Sequence, residues 1–63
     1  MEFGKRLQEA RVAAGLSQQA LAEKIGVKKA AISKWELGKR EPSFERLALL
    51  AKALNVKIST FLE

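Results

Sequence analysis

Apolar positions recur along this chain with a helical period, and residues that end helices cut the pattern at intervals. Phe3, Leu7, Ala10 and Ala14 fall on one stripe at 3.6-type spacing, which predicts a helix over 2–14. Gly15 then supplies the left-handed stop. Ser17 is a good N-cap for a second helix over 18–25, with Leu21, Ala22 and Ile25 inward, and Gly26 ends it. A third helix over 29–37 carries Ile32 and Trp35 one turn apart and stops at Gly38; the KREP stretch after it reads as a loop. Ser43, following Pro42, caps a fourth helix over 44–54, whose stripe is Phe44, Leu47, Ala48, Ala51 and Leu54. Asn55 takes the next left-handed stop, and Val56 and Ile58 lead into a last short helix over 59–62 with Phe61 and Leu62. Nothing alternates with period two over any length. The expected fold class is therefore all-α, five short helices in a single domain over 1–63, without repeats, linkers or low-complexity segments.

The middle pair is more specific. Little more than Gly26 and Val27 separates helices two and three, and so short a connection makes them cross at a large angle. Small Ala22 permits close approach, Gly26 permits the turn, and Ile32 fills the angle. Ala, then Gly four residues on, then Ile six after that, is the helix-turn-helix pattern. An ordinary αα-hairpin also uses a glycine stop, so the distribution of charge has to separate the two readings.

The chain of 63 residues carries a net charge of +5. Residues 1–23 and 41–63 are each balanced. Residues 24–40 hold Lys24, Lys28, Lys29, Lys34, Lys39 and Arg40 against Glu36 alone, so the whole excess of +5 lies in this stretch. A solvated face mixes signs, as both flanks do. A localised basic patch on a helix-turn-helix pattern favours a polyanion. The chain has no Cys, His, Asp or Tyr, and its seven acids are unclustered Glu. Disulfides and metal sites are not expected, no cofactor is implied, and an enzyme is disfavoured, because acid–base and nucleophilic catalysis draw on the missing types. The N-terminus MEFGKRLQEARVAAG is amphipathic and charged, unlike a signal peptide. The longest apolar run, LALLAKAL, is broken by Lys52 and falls short of the ~20 residues of a membrane span. The expected location is the cytoplasm, at the nucleoid, with no membrane partner.

The stretches GLSQQALAEKIGV, AAISKWELGKREPSFERLALLAKALNV and KISTFL resemble the phage-repressor and Cro-like helix-turn-helix family, the lambda-repressor-like or xenobiotic-response-element type. The resemblance runs from about Leu7 to Leu62. It implies a compact bundle of five helices that binds double-stranded DNA, commonly as a dimer on a two-fold operator. It also implies a partly buried ion pair between Arg11 and Glu36. Arg11 falls near the apolar stripe of helix one, where an unpaired charge is costly, and Glu36 is the lone acid of the basic stretch.

In this geometry helix three enters the major groove with its N-terminal end foremost. Roles then follow from position. Lys28, Lys29, Ala30, Ser33 and Lys34 should reach base edges. Lysine donates to guanine O6 and N7, and Ala30 meets a thymine methyl. Lys39 and Arg40 should hold phosphates, as should Gln18, which matches the family position that also braces the recognition helix. The chain departs from the family at Lys28, where a Ser or Thr cap is usual, and at Leu37, where Asn is common. Val12 and Leu49 stand where charge is usual. A recognition helix of alanines, a serine and lysines, without Gln, Arg or Asn for bidentate readout, implies modest specificity and a large salt-dependent component. Trp35 reads as core rather than as a base-stacking residue, as do Phe3, Phe44 and Phe61.

The leading expectation is a sequence-specific transcriptional regulator, a repressor, monomeric in dilute solution and pairing weakly on DNA through its C-terminal helix and the loop before it. The competing readings are a protein-interaction module of coactivator or antitoxin type, and a truncated or engineered domain with weakened DNA binding.

Overall fold

A computed structural model describes residues 2–62. Five helices follow in order: α1 Phe3–Ala13, α2 Gln18–Ile25, α3 Lys29–Glu36, α4 Phe44–Leu54 and α5 Ser59–Leu62. One device ends the first four. A backbone N–H just past the helix reaches back five residues: Leu16 to Arg11 O at 3.2 Å, Val27 to Ala22 O at 3.0 Å, Lys39 to Lys34 O at 2.9 Å, and Val56 to Ala51 O at 3.0 Å. Each closure needs a left-handed residue before the donor. Gly26 fills that need at φ 76° between α2 and α3, and Asn55 does so at φ 57° after α4. Serines open two helices: Ser17 Oγ accepts from Ala20 N–H at 3.0 Å, and Ser43 Oγ from Arg46 N–H at 3.3 Å.

Packing follows from these ends. α1 lies against α3 and α5, and α2 lies against α3 and α4. Leu7, Leu21, Ile32, Leu50 and Phe61 are the large side chains wholly withdrawn from solvent at the centre. Trp35 joins this core at 5% exposure, so the indole offers no free face for stacking. Phe3 meets Phe61 edge-on, with ring centroids 5.6 Å apart and planes at 75°. Gly4 stands where α1 crosses the end of α3. A methyl group there would fall 2.3 Å from Glu36 O and 2.7 Å from Trp35 O, so only glycine lets the two backbones come this close.

The ends of two helices and the buried stripe of α4 depart from expectation. α1 ends one residue early, leaving Ala14 exposed outside it, and α3 ends at Glu36 rather than at residue 37. Phe44, expected in the core, is 71% exposed, and Ala48 is exposed too. Leu50, absent from the expected stripe, is wholly buried. The physical reason lies in α4, FERLALLAKAL, which is so rich in apolar residues that two stripes fit its period. The buried one is Leu47, Leu50, Ala51 and Leu54. That stripe is turned toward Leu50, which leaves Phe44 and Ala48 at and beyond its edge.

Candidate nucleic-acid interface

The orientation of α3 is held by a small polar cluster. Arg11 on α1 donates from Nε to Glu36 Oε2 at 2.6 Å and from Nη2 to Oε1 at 3.3 Å. Its remaining Nη1 reaches Leu16 O at 2.8 Å, in the loop before α2. Gln18 at the start of α2 donates from Nε2 to Glu36 Oε1 at 3.0 Å. The pair is nearly enclosed, with the side chains of Arg11 and Glu36 12% and 4% exposed. One carboxylate therefore ties α1, α2 and α3 together with three charge-assisted hydrogen bonds.

This cluster changes the electrostatics of the surface. Glu36 is the one acid of residues 24–40, and it faces inward to Arg11. Lys24, Lys28, Lys29, Lys34, Lys39 and Arg40 all remain exposed, with no acid of their own stretch among them. The stretch is thus more positive outward than its sequence sum implies.

Of the residues singled out from sequence, Lys28, Lys29, Ala30 and Lys34 are exposed around α3 and Ser33 is half-buried, while Ile32 and Trp35 point into the core. Lys39 and Arg40 are exposed in the loop after α3. Gln18 is half-buried, its amide already engaged with Glu36. Lys28, Ala30, Lys34 and Arg40 come together around the open cleft of about 800 Å³ between α3 and the start of α4. Lys29, Ser33 and Lys39 do not line it. Two further charged residues do, Glu41 and Arg46. Charge sums conceal both, because residues 41–63 balance to zero; only the position of Arg46, one turn into α4 behind the basic loop, hints at it.

Lys28 occupies the N-cap of α3 in extended conformation, φ −83° and ψ 151°, and makes no side-chain capping bond. Ser17 and Ser43 hold nearly the same backbone angles at the starts of α2 and α4, and both cap. A lysine here leaves helix N–H groups uncapped and adds charge to the positive end of the helix dipole. Lys28→Ser is expected to raise stability by about 1 kcal/mol, seen as a melting temperature higher by roughly 4–8 °C. A loss of stability in thermal denaturation would contradict this account of the cap.

A compact helical bundle in which α2 and α3 meet through a left-handed glycine, with the basic side of α3 turned to solvent, defines a helix-turn-helix domain. The chain belongs to the helix-turn-helix family, whose profile matches residues 7–61. It is 44% identical over 62 residues to the HTH-type transcriptional activator BcrR of Enterococcus faecalis, covering 98% of this chain and 30% of BcrR. Its fold is similar to that of the P22 c2 repressor solved in complex with a synthetic operator, with a TM-score of 0.91 and 34% identity over 97% of this chain and 92% of that one. It is also similar to the restriction-modification controller protein C.AhdI from Aeromonas hydrophila, with a TM-score of 0.90 and 37% identity over 95% of this chain and 91% of that one. The chain spans only 30% of BcrR and 24% of the repressor protein C2 of Salmonella phage P22 as curated. No helix among the described residues is long and apolar enough to cross a membrane.

Proposed function

We propose that this chain is the double-stranded-DNA-binding domain of a transcriptional regulator that sets α3 in the major groove and acts as a repressor from the cytoplasm, at the nucleoid. The observation that carries the reading is the predominantly basic surface around α3, from which the one acid of residues 24–40 has been withdrawn into the pair with Arg11. The kinship with BcrR and the P22 repressor supports it. Lys28, Lys29 and Lys34 donate to guanine edges, Ala30 meets a thymine methyl, and Ser33 serves either kind of edge. Lys39 and Arg40 hold phosphates, and Gln18 offers one the N–H of its amide that Glu36 does not take. No cofactor and no catalysis enter this role. The chain is monomeric when dilute and pairs weakly on a two-fold operator.

Selection from a pool of random duplexes at about 0.15 M salt, followed by sequencing, tests this reading. The expected product is a two-fold motif whose half-sites lie about 10 base pairs apart, one turn of the duplex. Absence of enrichment, together with binding that vanishes as salt rises, would leave the sequence-independent phosphate term alone and overturn the specific reading. A protein-interaction module is the lesser alternative. Val12, Leu37 and Leu49 are exposed, but the outward side of α3 presents lysines and Ala30 in place of the buried aromatic or aliphatic centre that protein interfaces use.

A further inference from the structure

We infer that Ser33 and Ala30 together read one A·T pair in the major groove, the Ser33 hydroxyl accepting from the adenine N6 amino group while Ala30 packs on the thymine methyl. The inference rests on the DNA reading and narrows which base pair this side of α3 accepts. Lys29, Ala30, Ser33 and Lys34 fall on the side of the helix turned away from the buried Ile32 and Trp35. Each ammonium there donates and cannot accept. Ala30 offers a methyl group alone. Glu36, the other residue of α3 with a side-chain acceptor, has its carboxylate engaged by Arg11 and Gln18. Leu37, which follows on the same side, is apolar and exposed. Ser33 Oγ is therefore the one acceptor on a surface of donors.

Its hydroxyl is also uncommitted. Ser17 and Ser43 spend theirs on the backbone N–H groups of Ala20 and Arg46. Ser33 stands in the middle of α3, half-buried, and its hydroxyl engages no partner among the described residues. In the major groove, guanine and thymine present acceptors that lysines satisfy, whereas adenine N6 and cytosine N4 are donors. An amino group set against a lysine loses its water and finds no acceptor, which is costly. Opposite Ser33 the same group is satisfied. Ala30 then decides between the two amino bases. It lies three residues before Ser33, close to one turn away on the same side. The partner of adenine carries a methyl for Ala30 to cover, and the partner of cytosine carries none.

The test uses the duplex that the unaltered protein selects. Each adenine in turn is replaced by 2-aminopurine, which still pairs with thymine but carries its amino group in the minor groove. One position in each half-site is expected to lose about three- to tenfold in affinity, the share of one hydrogen bond. Uracil in place of the thymine paired there removes the methyl alone and should cost about fourfold, the share of one buried methyl. Ser33→Ala should bind the adenine and 2-aminopurine duplexes alike, whereas Ser33→Thr, which keeps the hydroxyl, should keep the difference. Alanine at this position breaks no hydrogen bond within the protein and is the better helix former, so the variant folds. No adenine sensitive to the exchange, or a sensitive one whose loss persists undiminished in Ser33→Ala, would overturn the inference while leaving the DNA reading standing. A selection without enrichment would remove both readings together.

Discussion

Gly4→Ala is expected to destabilise the domain by about 2–3 kcal/mol through overpacking, lowering the melting temperature by roughly 10–20 °C. The sign is what makes the result diagnostic. In an ordinary helical position, glycine to alanine stabilises by up to about 1 kcal/mol, because glycine loses more freedom on folding. Here the added methyl would meet the carbonyl oxygens of Glu36 and Trp35 at 2.3 and 2.7 Å. Those atoms are backbone at the end of α3 and cannot rotate aside, so α1 must lift away from α3. That shift would also loosen Phe3 from Phe61 and disturb the Arg11–Glu36 pair, both of which depend on where α1 lies. Thermal denaturation followed by circular dichroism measures it. An unchanged or raised melting temperature would show that α1 and α3 do not approach this closely.

Glu36→Gln is expected to have the largest effect of all, a loss of about 3–5 kcal/mol, because it strands a buried guanidinium. A domain of this length has only about 3–9 kcal/mol in hand, so the variant should lose at least about a third of its stability. The amide keeps the shape but not the charge, and it presents N–H groups to Arg11, which has no capacity to accept them. Arg11→Met combined with Glu36→Leu should cost less than Glu36→Gln alone, since no unpaired ion remains. Recovery will be partial, because Leu16 O and Gln18 Nε2 lose their partners as well. Chemical denaturation of the single and double variants gives the coupling directly. If Glu36→Gln melted with the unaltered protein, the polar cluster would have no weight in the fold.

Much of the architecture is legible in the residues themselves, because local chemistry decides helix ends. Ser17 and Ser43 cap where the serine pattern places them, and Gly15, Gly26, Gly38 and Asn55 adopt the left-handed conformation at the stops. What escapes is anything set by how helices lie on one another. Phe44 and Leu50 are both apolar and both fit a helical stripe. Only the rotation of α4 against the other helices decides that one is outside and the other inside. Gly4 reads in sequence as a weak helix residue, and its meaning appears only with the α3 backbone against it. The basic stretch 24–40 is visible as a sum, whereas the withdrawal of Glu36 from its surface depends on a partner 25 residues away. Arg46 is hidden for the same reason: its neighbours in sequence balance it, and its neighbours in space do not.

The seam between α1 and α5, where Phe3 meets Phe61 and Arg6 Nη1 reaches Thr60 O at 3.5 Å, has a kinetic consequence. Those contacts join residues that are almost a whole chain length apart, while α2 and α3 meet across a few residues. Closing the longer loop costs more chain entropy and brings little until the intervening helices are already packed. Assembly is therefore expected to run outward from the α2–α3 corner and to finish with α5 docking on α1. A four-residue helix has few backbone bonds of its own, so the native seam is held by side-chain packing, chiefly the wholly buried Phe61 against Phe3. One aromatic pair thus clasps the first helix to the last, while a tight turn sets the corner that presents α3.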